Sequence, residues 1–158
     1  VFDRLSECTA NGIDDCYFVI STNVGEKLRP LYDVASGGEL SRIMLAVKSC
    51  MAAEDNIGTL VFDEIDVGIS GRAAQAVAEK MALISRKHQV ISITHLPQIA
   101  ARGRAHYKVY KQDNETETNS HIRRLTDEER VGEIAHMLSG ATLTDAALNN
   151  AKVLLGIV

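Results

Sequence analysis

Between residues 36 and 54 the apolar positions Leu40, Ile43, Met44, Val47 and Met51 recur at the spacing of one helix face. Ser36-x-x-Glu39 just ahead of them has the form of a capping box, so the pattern predicts a helix from Ser36 to near Glu54. The period then changes. Thr59-Leu60-Val61-Phe62 is a short unbroken apolar run, which suits a strand buried on both faces. A loop through Gly68 and Gly71 leads to a second helical stripe at about 72–86, carried by Ala73, Ala76, Val77, Met81 and Ile84. Gln89 to Thr94 reads as another buried strand, and Pro97 opens a short helical segment. Strand, helix, strand implies a parallel pair with a right-handed crossover.

The flanks are patterned differently. Residues 1–15 carry little periodicity and read as the tail of a preceding element. Cys16 to Thr22 is aromatic and β-branched, hence a strand; Asn23-Val24-Gly25-Glu26 supplies a turn, and a second extended piece runs toward Leu31. AHYKVYKQ and SHIRRL, within 105–125, predict two antiparallel strands around the polar loop Asp113–Asn119. Thr126-x-x-Glu129 repeats the capping-box form before a helix that ends ahead of Gly140. A last helix follows Thr144, with Ala147, Leu148, Ala151, Leu154 and Leu155 on its apolar face. The expected fold is one α/β domain over residues 1–158: a mainly parallel sheet flanked by helices, with an antiparallel strand pair.

Composition narrows the classes. A hydrophobic share of 46% over 158 residues supports a real core, and with no Trp and only three Phe that core must be aliphatic. A net charge of −4 gives no global attraction to nucleic acid or anionic lipid. No apolar run approaches the ~18 residues of a membrane helix. Cys8, Cys16 and Cys50 are odd in number and lack metal-ligand spacing, so they are expected as small buried or half-buried side chains in a reducing cytoplasm. In that setting the sequon Asn114-Glu115-Thr116 is idle. A start at Val1 rather than Met leads us to expect further sequence upstream.

Three signals carry chemistry. In Val34-Ala35-Ser36-Gly37-Gly38-Glu39, a Ser and two glycines open a helix, exposing backbone N–H groups to an anion with the helix dipole behind them. Alone, this is the make-up of an ordinary turn and N-cap. Asp63-Glu64 closes the first apolar strand; the first acid suits a water-rich Mg²⁺ and the second can polarise a water. Alone, acids follow strands simply because the chain reaches solvent. His95 follows the next strand, 32 residues after Asp63 and across one helix, so neighbouring parallel strands would bring both to the carboxyl edge where α/β sheets bind ligands. Alone, such a histidine is a surface residue. The order of the three says more than any one of them.

In that order the segments are similar to the signature motif, Walker B element and switch histidine of ABC-type ATPases. More narrowly, ASGGELSRIMLA, VFDEIDVGISGRAAQAVAEK, ITHLPQIAA and RVGEIAHMLSG resemble the RecN family of the structural-maintenance-of-chromosomes (SMC) group, over roughly residues 16–158. The resemblance implies that Ser36, Gly37, Gly38 and Glu39 meet the ATP held by an opposite head. It implies that Asp63 serves Mg²⁺ through water, that Glu64 is the catalytic base, and that His95 senses the γ-phosphate. It implies a D-loop over Ile65–Ser70, including Asp66, Gly68 and Ser70, at the interface of two heads. Ser70 stands where the usual D-loop Asp falls.

No G-x-x-x-x-G-K-[ST] occurs, so the loop that grips the β- and γ-phosphates is not in this chain. By resemblance, that loop lies in an N-terminal lobe beyond a coiled coil, and this chain is the C-terminal lobe, inactive alone. The implied partners are that lobe, a second head in a homodimer, and DNA through the full-length protein, with no membrane. The implied setting is DNA double-strand break repair and recombination in a bacterial cytoplasm, at the nucleoid. The alternatives are a non-catalytic interaction module or the head lobe of another chromosome-maintenance protein. Arg102, Arg104, Lys108, Lys111, Arg123 and Arg124 form either a phosphate-backbone patch or a solvated hairpin face. His88, His106, His121 and His136 have no ligand-like spacing and read as surface or satisfied core residues.

Overall fold

The computed structural model describes residues 1–21, 24–34, 36–51, 56–113, 117–140 and 142–157. Asn23 of the expected turn, Ala35 of the glycine turn, Glu54 at the expected helix end and the sequon at 114–116 lie outside them. At the centre, strand β5 (Thr59–Phe62) pairs in parallel with β6 (Gln89–Ser92), joined by helix α3 (Gly71–Ile84). Thr59 lies opposite Gln89 and Phe62 opposite Ser92, so the two strands end level. Leu60, Phe62 and Val90 share the face that packs on Leu45, Ile65, Ala78, Met81, Ile84 and Ile99.

Among the described residues, that face is the covered one. Val61 is 62% exposed, with Ile91 and Ile93 open beside it, so strands expected to be buried on both faces are buried on one. Helix α2 (Gly37–Met51) shows the same discrepancy. It contacts α3 and buries Gly38 and Leu45, while its most regular stripe, Leu40, Met44, Val47 and Met51, is exposed. On α3 the expected Met81 and Ile84 are buried and Val77 packs against the core, but at the helix start Ala74 and Ala78 are buried in place of Ala73 and Ala76, which face solvent. Small side chains at 74 and 78 let the neighbouring elements approach, which a hydrophobic pattern alone cannot signal. The accessible surface is 11407 Å², against about 7,800 Å² for a compact monomer of this mass. Among the described residues, many large apolar side chains have no cover.

Around this centre lie three antiparallel pairs: β1 (Phe2–Thr9) with β2 (Gly12–Cys16), β3 (Val19–Ile20) with β4 (Arg29–Pro30), and β7 (Tyr107–Asp113) with β8 (Thr118–Arg124). Among the described residues, the sheet expected to be mainly parallel is one parallel pair beside three antiparallel two-stranded sheets. The weakly patterned residues 1–15 form most of a hairpin, and of the strand expected from Cys16, the described residues to Ser21 are split between β2 and β3, Thr22 lying outside the described residues. The extended piece expected toward Leu31 ends in the helical turn α1 (Leu31–Val34). The β1–β2 hairpin is almost wholly exposed, and Cys8, Cys16 and Cys50 are all exposed free thiols rather than core residues.

A second core joins α4 (Pro97–Ala100), α5 (Asp127–Ser139) and α6 (Asp145–Leu155) through Ala101, Ile134, Ala135, Ala147 and Ala151. Here the sequence pattern and the packing agree, because both helix faces close within the chain. The Thr126 hydroxyl accepts from the Glu129 N–H at 3.3 Å and the Glu129 carboxylate accepts from the Thr126 N–H at 2.8 Å, completing the box. Thr126→Ala should lower stability by about 1 kcal/mol, seen as an earlier urea midpoint at unchanged slope. An unmoved midpoint would mean that the cap contributes nothing. Among the described residues, no helix is long and apolar enough to cross a membrane.

Candidate functional site

Because β5 and β6 end level, the residues that follow them emerge at one edge of the sheet. Asp63 and Glu64 are both exposed there. The Asp63 carboxylate accepts the N–H of Glu64 at 2.9 Å, which pins the turn at its first step. Glu64 has φ 56°, a left-handed backbone in a residue with a side chain. Such a conformation costs about 1–3 kcal/mol and persists only where the surroundings enforce it.

Helix α2 supplies the enforcement. The Arg42 guanidinium donates to the carbonyls of Ile65, at 3.1 Å, and Val67, at 2.8 Å. The Ser41 hydroxyl donates to the Asp63 carbonyl at 2.9 Å. Gly38 is buried against the same turn: a Cβ built on it would lie 2.8 Å from the Glu64 carbonyl oxygen and 3.1 Å from Val67 Cβ. The glycine is required there by close backbone approach. The start of α2 and the turn after β5 are thus stitched together on three consecutive carbonyl-bearing residues and Val67.

At the tip of α2, Ser36 and Gly37 are exposed. The Ser36 N–H and hydroxyl both donate to the Glu39 carboxylate, at 2.9 and 3.1 Å, so Glu39 is engaged as a cap rather than projected outward. Those two hydrogen bonds, with help from the Arg42 charge, hold the Glu39 carboxyl below its ordinary range. The Glu64 carboxylate lies next to Gly37: a Cβ on that glycine would meet Glu64 Oε2 at 2.5 Å.

Asp66 behaves differently from its neighbours. Its side chain is turned inward and the residue is 2% exposed. Oδ2 accepts from the Thr94 hydroxyl at 2.5 Å and from the His95 N–H at 2.8 Å, and lies 3.1 Å from His95 Nδ1. Burial pushes this carboxyl up, but the hydrogen bonds from Thr94 and His95, together with the His95 ring, outweigh it and hold the group below its ordinary range. Gly68 (φ 75°) and Ser70 remain exposed, and Ser70 precedes α3 without a side-chain cap bond.

Ser36–Gly38, Asp63–Glu64, Asp66 and His95 therefore belong to one connected cluster. Ser41, Arg42 and Thr94 lie inside the motif segments of the sequence, which assigned them no role. The only signal for Arg42 was a charged residue placed beside the apolar stripe, one turn after Glu39. Of the basic residues at 102–124, Lys108 pairs with Glu133 and Arg123 with Glu129 on α5, which neutralises one face of the β7–β8 hairpin. His88 is buried and satisfied by the Ile57 carbonyl at 2.6 Å, and the His121 ring stacks on Tyr110. Among the described residues, no group of three or more His, Cys, Asp or Glu is placed to hold a metal ion.

No family model matches the chain. It is 46% identical to the DNA repair protein RecN of Bacillus subtilis over 149 residues, which is 94% of this chain and 26% of that protein. It is 52% identical to the RecN protein of Deinococcus radiodurans over 151 residues, 96% of this chain and 26% of that one. Against the RecN protein of Haemophilus influenzae the figures are 42% over 156 residues, 98% of this chain and 28% of the relative. The chain thus spans about a quarter of the length of the curated relatives it matches. A chain solved in work on ATP-driven dimerization and DNA-stimulated activation of SMC ATPases shares its fold, with TM-score 0.50 and 15% identity over 75% of this chain and 70% of that one. At that identity the likeness is one of fold.

Proposed function

We propose, from its kinship with a quarter-length segment of RecN proteins, that this chain is the C-terminal lobe of an SMC-like ATPase head. The whole protein then hydrolyses ATP and works in DNA double-strand break repair and recombination, in a bacterial cytoplasm. The observation that carries this reading is the single cluster joining the Ser36–Gly38 turn, Asp63–Glu64 and His95 at one sheet edge.

In this reading Glu64 holds the attacking water, with its carboxylate exposed and its backbone set by Arg42 and Gly38. His95 contacts the γ-phosphate. Gly37 and Gly38 offer the N–H groups of a helix start to the nucleotide of an opposite head, and Ser36 can turn its hydroxyl from Glu39 to the same phosphate. Glu39 holds that turn in shape. Gly68 and Ser70 lie on the exposed rim between heads, while Asp66 faces inward. The exposed carboxylate of Asp63 fits Mg²⁺, an ion that keeps most of its waters and takes few protein ligands. When bound, the ion supplies positive charge to the phosphate oxygens. The phosphate-gripping loop comes from the N-terminal lobe, and contact with DNA from the assembled protein.

Mixing this chain with a separately made P-loop half, in the presence of ATP and Mg²⁺, tests the reading directly. We expect phosphate release only from the mixture. Release by this chain alone, or none from a mixture in which both halves associate, would overturn it. The second reading, a non-catalytic interaction module, is favoured by the lack of any phosphate-gripping loop in the sequence, and the same silent mixture would support it.

A further inference from the structure

Asp66 has no part in the chemistry just described, yet it is the most deeply buried acid at the site. Its Oδ2 gathers three groups from the turn after β6: the Thr94 hydroxyl, the His95 N–H and the His95 ring at Nδ1. The first is a side-chain hydroxyl, the second holds the backbone of the turn, and the third places the ring beside the carboxylate. An ionised carboxylate can only accept hydrogen bonds. Nδ1 lies 3.1 Å from Oδ2, close enough for the ionised carboxylate to favour a proton on that nitrogen. The His95 side chain is 69% exposed, so the nitrogen left facing solvent is Nε2.

We propose that Asp66 is a positioning residue that locks His95 in its Nδ1–H form and leaves Nε2 as the working atom at the rim of the sheet. In the neutral ring Nε2 then accepts a hydrogen bond from water. It donates to a phosphate oxygen only when the ring carries a second proton, and the buried carboxylate supplies the countercharge. The tautomer of a histidine is set by whichever partner holds its other nitrogen. Because Asp66 lies three residues after Asp63, on the turn whose carbonyls Arg42 holds, the orientation of the ring is tied to the geometry of Glu64. The consequence for hydrolysis rests on the nucleotide reading above; the tautomer itself does not.

The test uses this chain with ¹⁵N-labelled histidine, reading the protonation of each ring nitrogen by NMR and identifying His95 from the signals lost in His95→Gln. Expected are a protonated Nδ1 and a bare Nε2 in the neutral ring, shifting toward the Nε2–H form in Asp66→Asn. Thr94→Val removes a neighbouring bond without touching the ring and should leave the tautomer in place. In the two-half mixture Asp66→Asn should lower kcat about 10- to 100-fold, as loss of an orienting partner does elsewhere, with KM little changed. A wild-type ring protonated at Nε2, a tautomer indifferent to Asp66→Asn, or an equal shift in Thr94→Val would each overturn the proposal. The expected tautomer in a mixture that hydrolyses nothing would sustain the Asp66–His95 pairing and remove the nucleotide reading instead.

Discussion

Glu64→Gln in the assembled protein is expected to slow ATP turnover by about 10²- to 10⁴-fold, the usual weight of a general base. Glutamine keeps the shape and reach of the side chain but cannot take a proton from water. The left-handed backbone at 64 and its enforcement by Ser41, Arg42 and Gly38 involve only main-chain atoms of this turn. Folding should accordingly be unaffected, within the ~0.5 kcal/mol usual for exposed substitutions. ATP should still bind, and the ATP-bound association of two heads should last longer because the γ-phosphate stays in place. Single-turnover kinetics with labelled ATP would separate binding from cleavage. A wild-type cleavage rate in this variant would remove Glu64 from the role of base.

The second large effect belongs to the paired glycines, which should fail in different ways. A Cβ at Gly38 would press on the Glu64 carbonyl at 2.8 Å and on Arg42 Nη1 and Val67 Cβ at 3.1 Å. The backbone oxygen of a strained residue has nowhere to go, so Gly38→Ala should destabilise the chain by about 1–3 kcal/mol, the range for overpacking a tight contact. At Gly37 the obstruction is the far end of the Glu64 side chain, which can swing away. Gly37→Ala should therefore leave the urea midpoint nearly unchanged and lower turnover by displacing the carboxylate. Equal loss of stability in both variants would show that the docking of α2 on the turn after β5 is not as described. This pair of measurements also tests the link from Ser36 to Glu64, since both run through the same few ångströms of backbone.

Some of the site could be read along the chain because its parts are local. Ser36-x-x-Glu39 and Thr126-x-x-Glu129 form their caps from residues three apart. Two strands separated by one helix lie parallel and end level, which delivers Asp63 and His95 to the same edge. The helices of the second core, with Ala147, Ala151 and Leu148 on the expected face, follow from periodicity that closes within the chain. The order of the glycine turn, the acid pair and the histidine pointed to the ATPase family for the same reason: each is a short segment whose chemistry is carried by neighbours in sequence.

What the sequence did not give depended on contacts 20 to 30 residues apart. Arg42 reaches Ile65 and Val67, and Asp66 reaches Thr94 and His95. Hydrogen bonds of that range leave no periodic trace, so the sequence placed Asp66 only as a D-loop residue, and its inward turn onto Thr94 and His95 belongs to the fold. The outward stripe of Leu40, Met44, Val47 and Met51 and the open face of Val61, Ile91 and Ile93 make the complementary point. Hydrophobic spacing reports that a face avoids water. Only the tertiary structure shows whether this chain supplies the surface that covers it, because burial belongs to pairs of surfaces and a single segment carries only one of each pair.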